Sequence, residues 1–326
     1  MRLGRNFTNL LYFDYLDAES KRRFLAGELT IADMDAAVQV VAKKDIAKQV
    51  LTAKALGADH VELDGAVPNP YLAFSEEDKQ KARNIAQENA ISLSLHLPYS
   101  YVGANLCAPD ELDRKMAVDL QKRYLEFASD IGCKYCVLHP GVVPFYHKDG
   151  KYLEQIKASL IKSLTELASF AAERGIDLHL ENNTAFDGLF SEPVEVCEVL
   201  EEVKKMGLDV YFCFDIGHWL TRVDVGQRIL NPPENIVEEI PNGFFKEVHL
   251  NDYIPCKRVF HPPLHLGLGM LRKENLERYL ELIIEKGAEI VVVETAASDR
   301  EHIMRRDEIL REETKYLKDI LRRYHA

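Results

Sequence analysis

The sequence predicts an α/β fold, a single closed (β/α)8 barrel of parallel strands over residues 1–326, and three observations predict it. One junction recurs along the chain: a charge-rich helical stretch, a short turn that usually contains glycine, then an apolar strand-like run. Strands alternate with amphipathic helices of roughly 10 to 20 residues, which calls for parallel βαβ units. The turns entering the strands are short, whereas the segments leaving them are long and rich in proline or aromatic residues. That asymmetry belongs to a barrel whose site lies at its C-terminal mouth.

In chain order, the first strand falls within residues 2–13, and KALGADHVEL turns at Gly57 into the second. QENAISLSLHL leads into the third, with Asn89 expected in the capping role. SDIGCKYCVLH, AERGIDLHLE and KKMGLDVYFCFD turn at Gly132, Gly175 and Gly207 into the next three. NGFFKEVHLND supplies the seventh, and EKGAEIVVVET turns at Gly287 into the eighth. A helix that stops and reverses into a strand needs a left-handed residue at its end, the conformation glycine adopts most readily. The long exits are 98–109, 140–152, 219–235 and 252–270. The chain carries no Pro/Gly/Ser-rich linker, so one domain is expected rather than two. An open doubly wound sheet is the alternative arrangement.

Composition sets outer bounds. With 47% hydrophobic and 29% charged residues the chain buries a large core, which excludes disorder and collagen-like structure. Six cysteines behind an N-terminus without leader character point to reduced thiols and a cytoplasmic setting. No apolar run reaches the roughly 18 residues of a membrane-spanning helix. A net charge of −12 argues against a broad nucleic-acid surface, without excluding a local basic groove.

Side chains alternate across a strand, so residues two apart share a face. In ISLSLHLP the leucines 93, 95 and 97 take the helix-facing side and leave Ser92, Ser94 and His96 in the bore. The same split turns His60, Glu62 and Asp64 inward, then Tyr135 and His139, His179 and Glu181, Cys213 and Asp215, Glu247, His249 and Asn251, and finally Glu294. A barrel interior is normally filled by Val, Ile and Leu, so this ring is expensive unless its members are paired or bind metal. His96 alone is compatible with a hydrogen-bonded core histidine, and Glu62 alone with an internal salt bridge. Glu181, Asp215, His249 and Glu294 together are harder to explain that way, because imidazoles are the only cationic groups the alternation places beside three carboxylates. The donor types suit a divalent ion such as Mn, Zn, Co, Fe or Mg.

The segments LHLPYSYVGANL, CVLHPG, LHLENN, FDIGHW, VHLND and VVVETA resemble the successive strand ends of the xylose-isomerase-like TIM barrel superfamily. Its members include sugar-phosphate isomerases and epimerases and the endonuclease IV-type abasic-site enzymes. The likeness runs from about residue 58 to the end. It implies that Glu181, Asp215, His249 and Glu294 hold one divalent ion, and that His218 contacts substrate or a further ion. Two departures are visible. The endonuclease-type pattern places Asp-x-His just before Leu-Gly-x-Gly, where this chain has His261 and Pro263, with His265 out of register. The ketose-epimerase pattern often places Arg six residues after the seventh-strand His, where this chain has Pro255, with Arg258 the nearest replacement.

Other signals are weaker. Cys133-x-x-Cys136 reads as buried structure, Gly267-x-Gly269 as a loop turn, and the charged C-terminal run as a solvated last helix. Trp219 is a candidate wall of the pocket. The reading that results is a divalent-metal-dependent isomerase or epimerase of a sugar, sugar phosphate or related polyol. In it Glu181 and Glu294 move the proton at carbon through an enediolate, and Glu62, His96, His139, His218, Trp219 and Arg258 contact the substrate. Hydrolysis of abasic-site DNA and dehydration of an inosose-type polyol are the alternatives. The partner expected is a small molecule rather than a nucleic acid or a membrane, and a homo-oligomer is compatible with the sequence.

Overall fold

Eight parallel strands run in the order β6-β5-β4-β3-β2-β1-β10-β7. They are β1 (Arg2–Asn6), β2 (His60–Leu63), β3 (Ser92–His96), β4 (Tyr135–Leu138), β5 (Asp177–Glu181), β6 (Tyr211–Cys213), β7 (Glu247–Leu250) and β10 (Ile290–Glu294). The ring closes between β6 and β7, where Asp215 bridges His249 in parallel and the His249 N–H donates to the Phe214 carbonyl at 3.2 Å. The computed structural model describes residues 1–99, 104–144 and 150–324. Residues 100–103 and 145–149, within two of the long exits and one of the quoted motifs, lie outside the described residues, as do 325–326 of the C-terminal run. The closed barrel is the fold the sequence predicts, and the open sheet is set aside.

The outer helices are α3 (Ile46–Leu56), α4 (Glu76–Glu88), α5 (Glu111–Ile131), α6 (Lys151–Ala172), α7 (Pro193–Lys205), α9 (Lys273–Glu285) and, after the last strand, α10 (Arg300–Met304) and α11 (Arg306–Leu321). Their apolar faces cover the outward strand residues, for instance Leu93, Leu95, Leu178 and Leu180, each at most 2% exposed. Among the described residues no helix is long and apolar enough to cross a membrane. Helices α3 and α5 end on Gly57 and Gly132 at φ 75 and 84, as expected. The third junction departs from expectation. Asn89 is right-handed, and Ala90 carries the positive φ of 55. The Asn89 side chain instead donates to the Ile85 carbonyl at 2.8 Å, so it caps the helix by hydrogen bonding and passes the turn to its neighbour.

Two additions dress the mouth. The β1–β2 connection carries α1 (Ala18–Ala26) and α2 (Ile31–Lys44), and α2 overhangs the opening. The β7–β10 connection carries a short antiparallel hairpin, β8 (Tyr253–Ile254) against β9 (Val259–Phe260). Asp252 anchors that connection by accepting the N–H groups of Tyr253, Met270 and Leu271. Cys133 and Cys136 are both buried, in line with a structural role.

Candidate metal centre at the barrel mouth

The bore follows the alternation. On β1, Leu3 and Arg5 face the helices while Gly4 and Asn6 face inward, and a Cβ on Gly4 would lie 2.9 Å from His60. Arg5 is thereby withdrawn from the site and paired at 2.6 Å with buried Glu313. His60, Ser92, Ser94, His179 and Glu247 fill the middle of the bore, and Glu247 is held down to about 2 because His60 and His179 outweigh the penalty of its burial.

Above that layer the ligand atoms of Glu181, Asp215, His249 and Glu294 all lie within 4.8 Å of one another, on buried residues. Local sequence explains their placement. In LHLENN, Asn182 accepts the Asp215 N–H at 2.8 Å and donates to the Asp215 carbonyl at 3.0 Å, tying β5 to the end of β6. In FDIGH, Asp215 caps the short helix α8 (Ile216–Leu220) by accepting the His218 N–H at 2.9 Å. Gly217 is required there, since a Cβ would sit 1.6 Å from Asn251 Oδ1. Asn251 in turn donates to Asp215 at 2.7 Å and Glu294 at 3.2 Å.

Besides His249, three histidines surround Glu181. His96 Nδ1 meets the Leu97 carbonyl at 2.9 Å, His139 Nδ1 meets Asn183 Oδ1 at 3.2 Å, and His218 Nδ1 meets the Asn182 carbonyl at 3.0 Å. These partners only accept, so Nδ1 carries the proton in each ring. Nε2 of His96 and His139 then stands 2.9 and 3.0 Å from Glu181 Oε2, a separation that needs a proton or a cation between the two atoms. Burial opposes charge on His96, but Glu181 outweighs it and pushes His96 up to about 9. Glu181 moves well below the carboxylate range against its own burial, chiefly through His139 and His249. Glu294 goes the other way, to about 8, driven by burial and by Glu62, Glu181 and Asp215 although His249 opposes. The donor set fits a divalent cation. Among the described residues no Lys or Arg pairs with any of the four donors, and imidazoles alone leave Glu294 incompletely neutralised.

A cavity of about 620 Å³ opens above the donors, lined among others by Asn6, Asn9, Asp35, Gln39, Lys43, Asp64, His96, His139, Glu181, His218, His261 and Glu294. Lys43 is the one Lys or Arg in that lining among the described residues, and Asp64 already holds it at 3.1 Å.

Glu181, Glu294, Asp215, His249, His96, His139 and His218 therefore converge as the sequence places them. Three other candidates lie outside the cavity lining. Glu62 is fully buried behind His249 and does not line the cavity. Trp219 is 2% exposed and packs under Arg222, because consecutive residues of a helix point about 100° apart and His218 takes the site-facing direction. Arg258 sits exposed on the hairpin with its guanidinium 4.8 Å from the Phe186 ring centre, held out by the turn at φ 52. Asn6 was missed, although the Leu3/Arg5 alternation would have found it. His261, left open by the sequence, joins Asp215 and His218 as a further group of candidate ligands, brought in by backbone bonds to Asp252 and Ala296. His265 lies away from the cavity beside Glu312.

An inward-facing ring of carboxylate and imidazole donors at the C-terminal mouth of a (β/α)8 barrel defines the class. The chain belongs to the xylose isomerase-like TIM barrel family, whose description matches residues 50–320. It is 34% identical over 201 residues to an uncharacterized protein of Methanocaldococcus jannaschii, covering 61% of this chain and 70% of that one. It is 30% identical over 256 residues to a probable endonuclease 4 of the Aster yellows witches'-broom phytoplasma, covering 73% and 80%. Among solved structures, D-psicose 3-epimerase of Clostridium cellulolyticum H10, crystallised with D-tagatose, superposes with a TM-score of 0.64 at 17% identity, covering 99% and 98%. At that identity the likeness is one of fold.

Proposed function

We propose that the protein is a divalent-metal-dependent isomerase or epimerase of a sugar or related polyol. The observation that carries this reading is the lining of the mouth cavity: Glu181 and Glu294 of the four-donor cluster line it, with Asp215 and His249 buried beside them, and the one lysine of that lining among the described residues is already paired with Asp64. A DNA enzyme must position phosphates with Lys or Arg, and this cavity offers mostly carboxylates, amides and imidazoles. Those groups suit the hydroxyls of a neutral polyol, in keeping with the sugar epimerase that shares the fold.

Glu181, Asp215, His249 and Glu294 would hold the ion, which when bound supplies Lewis-acid polarisation of a carbonyl oxygen. Glu294 and Glu181 approach the floor from strands β10 and β5, so one removes and the other returns the proton at the carbon beside the carbonyl. His96, His139 and His218 present Nε2 toward the cavity with Nδ1 anchored, which orients substrate hydroxyls. Helix α2 closes the far side with Asp35, Gln39 and Lys43.

The test is exchange of solvent deuterium into a panel of ketoses and cyclic polyol ketones with metal-loaded protein, beside an abasic-site DNA duplex. Exchange that Glu294→Gln abolishes supports the reading. The second reading, abasic-site hydrolysis, is favoured by the endonuclease 4 relative and by the histidine-rich mouth. Salt-sensitive incision of the duplex, lost in His139→Ala, together with absent exchange would establish it instead.

A further inference from the structure

The four imidazoles around Glu181 are not held alike. His96 and His139 are anchored through Nδ1 by neutral carbonyl-type oxygens, and His218 Nδ1 by the Asn182 carbonyl with Glu181 Oε1 at 3.3 Å. His249 is turned the other way. Its Nε2 lies 3.0 Å from Glu62 Oε2, while its Nδ1 lies 3.1 Å from Glu181 Oε1 and 3.6 Å from Glu294 Oε2. Glu62 is fixed in place, since its other oxygen accepts from Asn6 Nδ2 at 3.0 Å, and the same amide donates to Glu294 at 3.2 Å. Glu62 and His249 are both completely buried, and Glu62 does not line the cavity.

We propose that Glu62 is a positioning residue of the metal centre rather than a substrate contact: it accepts the His249 Nε2–H, which selects Nδ1 as the ligand atom, and Asn6 clamps it in register with Glu294. This rests on the metal-centre reading above. The physical reason is that an imidazole has two nitrogens and binds metal only through the one without a proton, so whatever accepts from the other decides which faces the ion and in what direction. A carboxylate does this more strongly than a carbonyl and also raises the basicity of the ligand nitrogen. Glu62 thus makes His249 the strongest of the four imidazole donors, and Asn6 couples two carboxylates that would otherwise repel. The sequence alone ranks Glu62 with the substrate contacts because alternation reports which side of a strand a residue faces, not its depth in the bore.

The experiment measures zinc affinity by competition with a chelator for the wild-type protein and Glu62→Gln, with the melting temperature of each metal-free protein as a control for folding. Glu62→Gln is expected to bind zinc ~10–100-fold more weakly, the usual loss for an outer-shell partner, while its metal-free melting temperature stays close to wild type. Unchanged zinc affinity would overturn the proposal. Long-range 1H–15N spectra of zinc-loaded wild-type protein labelled at histidine give an independent reading that needs no variant. They should show His249 protonated at Nε2, and a proton on Nδ1 would equally overturn it. Neither measurement involves turnover, so failure of the isomerase reading and failure of this one are separate results.

Discussion

The two ends of the barrel bore treat charge in opposite ways. At the base, Arg2 Nη2 donates to the Tyr135 hydroxyl at 3.1 Å and stands 3.9 Å from Glu289, and Lys246 pairs with Asp177 at 2.6 Å. Each acid there meets a permanent cation and remains partly open to water. At the mouth, Glu62, Glu181, Asp215 and Glu294 are at most 6% exposed, and their cationic neighbours among the described residues are histidines. A base built this way is complete in itself. The mouth is balanced only by protons or by a bound ion, and that incompleteness makes it a site.

If this contrast is sound, metal binding belongs to the mouth alone, and the largest effects follow from disturbing it. Elemental analysis of the purified protein should find divalent metal, and Glu181→Gln or Asp215→Asn should weaken its binding by at least ~100-fold, more than an outer-shell partner costs. Chelation of the wild-type protein should lower its melting temperature on the order of 5–10 °C, since an ion at ~1,000 times its dissociation constant stabilises the fold by roughly 4 kcal/mol. Full metal occupancy in both variants would break the comparison at its centre.

A smaller effect sharpens it through pH. In the metal-free protein Glu294 has its proton affinity raised from 4.5 to about 8 and His96 from 6.5 to about 9. In both, the folded state holds the proton more tightly than the unfolded state, so the stability they contribute is lost as pH rises. His179 and His261, pushed down to about 4 by burial, act oppositely and lose stability as pH falls below 6.5. The metal-free melting temperature should therefore fall between about pH 6.5 and 9. The gap between metal-loaded and metal-free protein should widen over that range, because the ion needs Glu294 deprotonated. A metal-free melting temperature that is flat or rising there would contradict the account of the mouth.

The smallest effect belongs to the base. Arg2 and Glu289 are 40% and 49% exposed at their side chains, so Arg2→Ala should cost no more than ~1 kcal/mol in a denaturant titration and leave metal content unchanged. Loss of metal in that variant would mean that the two ends are coupled.

The sequence by itself determined the barrel and most of the ring at its mouth, because both rest on short-range periodicity. A strand must alternate, so Glu181, His249 and Glu294 could be assigned to the bore without knowing what they face. Tertiary structure decided what periodicity does not encode. It put the left-handed turn at Ala90 rather than Asn89, since the Asn89 side chain found its own acceptor. Helix α8 turned Trp219 into the core beside a site-facing His218, and the hairpin of the last long exit carried Arg258 away while delivering His261. Depth was decided there too: Glu62 and Glu294 share an inward face, yet strand register sets one behind His249 and the other at the cavity. Alternation fixes direction within a strand, whereas depth and loop course depend on how separate strands are staggered, and that follows only from closure of the whole ring.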